Sequence, residues 1–150
     1  MLSDIYNYRQ IAPSLATSGQ PDEQELAAIA AAGYEVVLNI ALHDDARYSL
    51  ADEEATVRAL GMRYIHIPVQ FDAPTPLDFD QFCQAMEDHG GARLWVHCAA
   101  NKRVSSFLGL YWHLRKGTPQ EEAFALQRDI WEPDEVWSRF IDQMLSARKP

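Results

Sequence analysis

The sequence predicts a single α/β domain over residues 1–150, with a mostly parallel sheet of four to five strands flanked by helices. Three observations carry that expectation. Apolar runs at 34–40, 62–69 and 94–96 are short and mostly β-branched or aromatic, as in strands buried on both faces. Segments of helical period separate them, which is the rhythm of an α/β sheet. The chain has 150 residues, 47% hydrophobic and 23% charged, values of one globular domain large enough to bury its own core. Low-complexity tracts and internal repeats are absent from it.

The elements follow in order. Residues 7–17 read as two extended pieces about a turn at Ala12-Pro13-Ser14. A helix opens after Pro21, where Asp22 and Glu23 suit its positive end; Leu26, Ile29 and Ala30 form its apolar stripe, and Gly33 stops it. Residues 34–40 are the first buried strand. The polar stretch 41–48 leaves its C-terminal end, the edge where ligands gather in open α/β sheets, and reads either as a pocket wall or as a solvated connection. Ser49 and Asp52 suggest a capping box for a helix through Leu60, ended by Gly61. Residues 62–69 form the second buried strand. Thr75, Pro76 and Asp78 form a cap, a helix-initiating proline and an acidic third residue for the next helix. That helix carries Phe79, Phe82, Cys83 and Met86 on one face, so Cys83 is a core residue, and Gly90-Gly91 leads into the strand at 94–96. A helix from Val104 to Arg115 packs Tyr111 or Trp112 inward and stops at Gly117. Thr118-Pro119-Gln120-Glu121 reads as a capping box for a helix through Ile130. A last helix opens at Pro133-Asp134-Glu135, with Val136, Trp137, Phe140, Ile141, Met144 and Leu145 facing the core.

The chemistry concentrates between the third strand and its helix, in His97-Cys98-Ala99-Ala100-Asn101-Lys102-Arg103-Val104-Ser105. Backbone N–H groups at a helix start, with a guanidinium beside them, make an anion site. The same field favours the thiolate, the nucleophilic form of cysteine. His97 is expected to pack or hydrogen-bond beneath the loop and orient backbone, and Lys102 to be a second cationic contact.

His97-Cys98 followed by Arg103 and Ser105 resembles the signature loop of cysteine-dependent protein tyrosine and dual-specificity phosphatases, which runs His-Cys, five residues, Arg, Ser or Thr. Ala16-Thr17-Ser18-Gly19-Gln20-Pro21 is similar to a segment of a small bacterial phosphatase-like group in that superfamily. The resemblance implies a phosphoester hydrolase working through a phosphocysteine. Cys98 would be the nucleophile, Arg103 the phosphate clamp, and Ser105 a hydrogen-bond donor to the sulfur. Ala99, Ala100, Asn101, Lys102 and Val104 would line the phosphate. The family's general acid is an aspartate on the loop after the preceding strand, and Asp72 occupies that place. Asp78, taken up by its cap, and Asp80, inside the helix, are its rivals.

Two departures keep other readings open. Only four residues separate Cys98 from Arg103, so in the family's register Val104 falls at the arginine's place, and the mid-loop glycine is missing. Four is the spacing of rhodanese-like sulfurtransferases, whose cysteine carries a persulfide. A phosphate-binding pseudophosphatase is the third possibility. Substrates would be a phosphorylated protein or a small phosphoester, with no metal or other cofactor. The net charge of −9 opposes a nucleic-acid partner. No apolar run reaches membrane-spanning length and the N-terminus has no signal-peptide pattern, so a cytoplasmic protein is expected. Oligomeric state is not encoded in any motif.

Overall fold

The computed structural model describes residues 2–42 and 49–147. A short 3-10 turn at Leu2–Asp4 leads into β1 (Arg9–Ala12) and β2 (Leu15–Ser18), an antiparallel pair about the expected turn. Then come α1 (Glu23–Ala31), β3 (Val36–Asn39), α2 (Glu53–Ala59), β4 (Arg63–His66), α3 (Pro76–Asp88) and β5 (Leu94–His97). The C-terminal part is helical: α4 (Lys102–Lys116), α5 (Gln120–Ala123), α6 (Ala125–Ile130) and α7 (Glu135–Ala147). The five strands form one sheet in the order β1-β2-β5-β3-β4, parallel except for the β1 edge. The expected α/β architecture is therefore the observed one.

Side-chain alternation divides the core between the two faces of the sheet. Val36, Leu38, Leu94 and Val96 pack with α3, α4 and α7 on one side. Ala16, Val37 and Trp95 pack on the other, with Leu26, Ile29 and Val57 of α1 and α2. Trp95 illustrates the second side: Tyr8 stacks on it at 5.6 Å, Tyr34 meets its edge at 5.1 Å, and its indole N–H donates to Ser18 Oγ. Strand β5 is central and buried at all four positions. Its last residue, His97, pairs with Ser18 on one side and Asn39 on the other, so the chain leaves the sheet at the middle of its carboxyl edge.

Four local expectations need correction. The buried strand expected at 62–69 is the shorter β4, which lies at the sheet edge and so leaves Arg63 and His66 exposed. The cap of α2 is Asp52, whose carboxylate accepts from Ala55 N–H, so the helix begins at Glu53 rather than after Ser49. The capping box at Thr118 does not form. Thr118 instead serves the end of α4, where its N–H donates to the Trp112 carbonyl beyond left-handed Gly117. The helix expected to run through Ile130 is also broken at Phe124 into α5 and α6, because Phe124 turns in against Gly109 of α4. The candidate pocket wall at 41–48 lies, from His43 onward, outside the described residues. Among the described residues, no helix is long and apolar enough to cross a membrane.

Candidate active site

The loop from Cys98 to Asn101 joins the central strand to the most enclosed helix, and its neighbours hold it from three directions. Gln20 N–H donates to the Ala99 carbonyl (3.1 Å), Asn7 Nδ2 to the Ala100 carbonyl (2.9 Å), and Cys98 N–H to the Ser18 carbonyl (3.4 Å). Gly19 bridges to Ala100 so closely that a Cβ there would stand 2.6 Å from the Ala99 carbonyl oxygen, which requires glycine at that position. This contact gives the Ser18-Gly19-Gln20-Pro21 string its physical role: it buttresses the loop.

Asn101 supplies the turn that glycine usually makes. Its φ is +64°, in the left-handed region that asparagine tolerates better than most residues. Its side chain faces backward, with Nδ2 donating to the Asn7 carbonyl and to Thr17 Oγ1, both at 2.9 Å. Helix α4 therefore starts without a side-chain cap. The first-turn N–H groups of a helix have no intrahelical partner, so an anion is their natural complement at this end.

The loop opens into a cleft of 420 Å³ lined by Tyr6, Phe71, Cys98, Ala99, Ala100, Lys102 and Arg103, a volume fit for a small ligand. Cys98 is fully buried and forms its floor. Arg103 lies 93% buried on one wall, since it is only 7% exposed. Its Nη1 donates to the Val69 carbonyl at 2.7 Å, its guanidinium carbon stands 5.6 Å from the Phe71 ring, and its Nε has no partner. A buried guanidinium with an N–H that no protein atom accepts, beside a cysteine and a helix start, is chemically suited to an anion. Lys102 completes the cationic rim, its ammonium 5.4 Å from the Trp131 ring.

The other expected residues divide. His97 is fully buried beneath the loop, its Nδ1 3.2 Å from the Cys98 carbonyl and its Nε2 2.5 Å from Glu53 Oε2. Asp72 sits in an exposed turn next to cleft-lining Phe71, whose carbonyl accepts from the Trp137 indole at 2.7 Å. Asp78 is taken up by its capping box with Thr75, and Asp80 by a half-exposed ion pair with Arg115 at 3.4 Å. Two residues of the expected phosphate lining do not reach the cleft: Val104 is in the core, and Asn101 turns away behind the loop. Ser105 is buried, with its hydroxyl donating to the Lys102 carbonyl at 3.1 Å and not to the sulfur. A hydroxyl at that place in a helix finds the carbonyl three residues back within easy reach.

Glu53 was not foreseen, because an acidic residue opening a helix has an ordinary explanation in the helix dipole. Tyr6, Asn7 and Gln20 were also missed as site residues. Their contribution comes from chain segments about 90 residues away, which local pattern does not reveal.

Residues 7–115 match the family profile of the phosphatase-like domain of beta-lactamase hydrolase-like proteins. This chain belongs to that family. Among solved structures, the domain is similar to a DUF442 protein from Shewanella putrefaciens CN-32, provisionally named a phosphatase. The two are 29% identical, covering 99% of this chain and 97% of that one, with a TM-score of 0.86. The fold is shared with P. aeruginosa TpbA, solved with phosphotyrosine (16% identity, 99% and 92% coverage, TM-score 0.72). It is also shared with the PP-IP phosphatase SIW14 of S. cerevisiae (13%, 93% and 86%, TM-score 0.72). No curated protein matches the sequence. The phosphatase-like domain thus takes the tyrosine and dual-specificity phosphatase fold.

Proposed function

We propose that this phosphatase-like domain is a cysteine-dependent phosphoester hydrolase acting through a phosphocysteine on Cys98. The observation that carries the reading is the buried, half-paired Arg103 guanidinium on the same cleft as Cys98. The Cys98 thiolate attacks phosphorus; an S–P bond forms as the P–O bond to the leaving group breaks. Arg103 Nε, Lys102 and the N–H groups of Ala99 and Ala100 bear the negative oxygens. Asp72, as its acid, gives the leaving oxygen a proton. Its carboxylate then takes a proton from water attacking the phosphocysteine, the S–P bond breaks, and phosphate leaves with the thiolate restored. None of these steps calls on a metal. A phosphorylated protein or a small phosphoester would be the substrate.

Hydrolysis of para-nitrophenyl phosphate by the unmutated chain and by Cys98→Ser, Arg103→Ala and Asp72→Asn tests this. Turnover should vanish in Cys98→Ser, fall by on the order of a hundredfold or more in Arg103→Ala, and fall in Asp72→Asn mainly for substrates with basic leaving groups. Ser105→Ala should cost far less, because its hydroxyl is engaged with Lys102. Phosphate binding without turnover would replace the reading with a pseudophosphatase. The four-residue spacing from Cys98 to Arg103 favours a second reading, sulfur transfer through a Cys98 persulfide. Thiocyanate formed from thiosulfate and cyanide, with no phosphate release, would establish that one instead.

A further inference from the structure

The pair behind the loop carries more information than its burial. His97 lies between two oxygen acceptors: Glu53 Oε2 at Nε2 and the Cys98 carbonyl at Nδ1. A neutral imidazole with its single proton on Nε2 would turn the Nδ1 lone pair against that carbonyl, two acceptors meeting in a dry site. Two arrangements avoid this. Either the imidazole is doubly protonated against a carboxylate, or Glu53 holds the shared proton and gives it to Nε2. In both arrangements Nδ1 bears a hydrogen and the pair is neutral as a whole.

The Nδ1 hydrogen has a consequence in the cleft. All described peptides are trans, so a carbonyl and the following N–H point to opposite sides of the peptide plane. Holding the Cys98 carbonyl down on His97 sends the Ala99 N–H the other way, toward the cleft that Ala99 lines. Gln20 does the same for the next peptide by holding the Ala99 carbonyl. Gln20 also ties the two devices together, because its side-chain Nε2 donates to Glu53 Oε1 at 2.8 Å.

We propose that Glu53 is a positioning residue for the anion loop: by keeping a proton on His97 Nδ1 it fixes the Cys98 carbonyl and aims the Ala99 N–H at the bound anion. The proposal rests on reading the cleft as a phosphate site, and its test separates the two ideas. In Glu53→Gln, the Gln20 donor selects the amide oxygen, leaving the new NH2 group to face His97 Nε2. A neutral imidazole then keeps its hydrogen on Nδ1, so this variant preserves the loop. Glu53→Met fills a similar volume and gives His97 Nε2 no partner.

Imidazole nitrogen-15 spectra should show Nδ1 of His97 protonated in the unmutated chain and in Glu53→Gln. Inorganic phosphate should shift the Ala99 amide in both and bind within about twofold of the same affinity, whereas Glu53→Met should bind it on the order of tenfold more weakly, the worth of one hydrogen bond. A merely structural glutamate would lower the melting temperature in both variants without separating their phosphate affinities. A bare Nδ1 in the unmutated chain overturns the proposal, as does a folded Glu53→Met variant that binds phosphate normally. If Glu53→Met does not fold, the spectra of the unmutated chain and Glu53→Gln decide. Failure of the unmutated chain to bind phosphate would overturn the reading of the cleft, and the His97 spectrum would still report whether Glu53 sets the tautomer.

Discussion

At the residue scale, Asn101 sets the shape of the loop. The missing glycine and the early arginine look like damage in one dimension. In three dimensions Asn101 takes the left-handed turn and ties the loop to Asn7 and Thr17. Two substitutions separate these contributions. Asn101→Gly keeps the conformation and loses the side-chain bonds; Asn101→Ala loses the bonds and adds backbone strain. Chemical denaturation should rank them with Ala the worse by about 1 kcal/mol, the ordinary penalty for a side chain in that region, and equal losses would mean the backbone strain is negligible. Arg103 invites a similar comparison. Its fork reaches the Val69 carbonyl through Nη1 and leaves Nε without a protein partner, and a lysine has no geometry that could hold that carbonyl and an anion together. Arg103→Lys should therefore weaken phosphate binding nearly as much as Arg103→Ala, measured by protection of Cys98 from iodoacetamide. Substantial rescue by lysine would show that charge alone suffices. That Cys98 and Arg103 share one cleft was legible because they lie in one short stretch of sequence, whereas the place of Glu53 was not, since it depends on lying 2.5 Å from His97, 44 positions away.

At the element scale, the helix that carries the loop is set by what packs around it. Helix α4 buries nine of its residues, and Phe107 meets Phe79, Phe82, Trp137 and Phe140 at ring distances of 5.4–6.1 Å. Gly109 lies in the middle of this helix, where alanine would ordinarily gain about 1 kcal/mol from propensity. The sign reverses here. A Cβ on Gly109 would stand 2.5 Å from Phe124 Cδ1, and Phe124 is buried at the break between α5 and α6. Gly109→Ala should destabilise the domain by about 1–3 kcal/mol, the cost of overpacking a filled core, and a higher denaturation midpoint would refute that account. The break itself escaped the sequence for the same reason. Residues 120–130 have continuous helical character in the sequence, and the break falls at Phe124, the residue that packs against Gly109. The strands at 36–39 and 94–97 are read more faithfully, because an apolar run buried on both faces needs no knowledge of its neighbours, whereas β4 lies at the sheet edge with Arg63 and His66 exposed.

At the scale of the whole molecule, the sheet has two unlike faces, and the polar network behind the site belongs to the α1–α2 side. Tyr64 of β4 lies there, its hydroxyl accepting from Asn39 Nδ2 at 3.0 Å. Its phenol pKa is pushed well above the ordinary value of 10.0, first by burial, then by the negative charge of Glu53, against a smaller lowering by the Asn39 bond. A raised pKa in the folded chain means that folding retains a proton the unfolded chain gives up. The associated stability is fully present below pH 10, where both states are protonated, and drains away as pH rises above it. Tyr8, on the same side of the sheet, is shifted in the same direction and adds to this alkaline limb. Tyr64→Phe leaves the Asn39 donor without that acceptor, so at neutral pH it should cost about 1 kcal/mol or somewhat more. Above pH 10 the unmutated domain loses stability that the variant never had, and the gap between them should narrow. Urea midpoints taken from pH 8 to pH 11 would show converging curves. Parallel curves would mean that Tyr64 ionises in the folded chain as freely as in the unfolded one, and that water reaches the α2 side of the sheet behind His97.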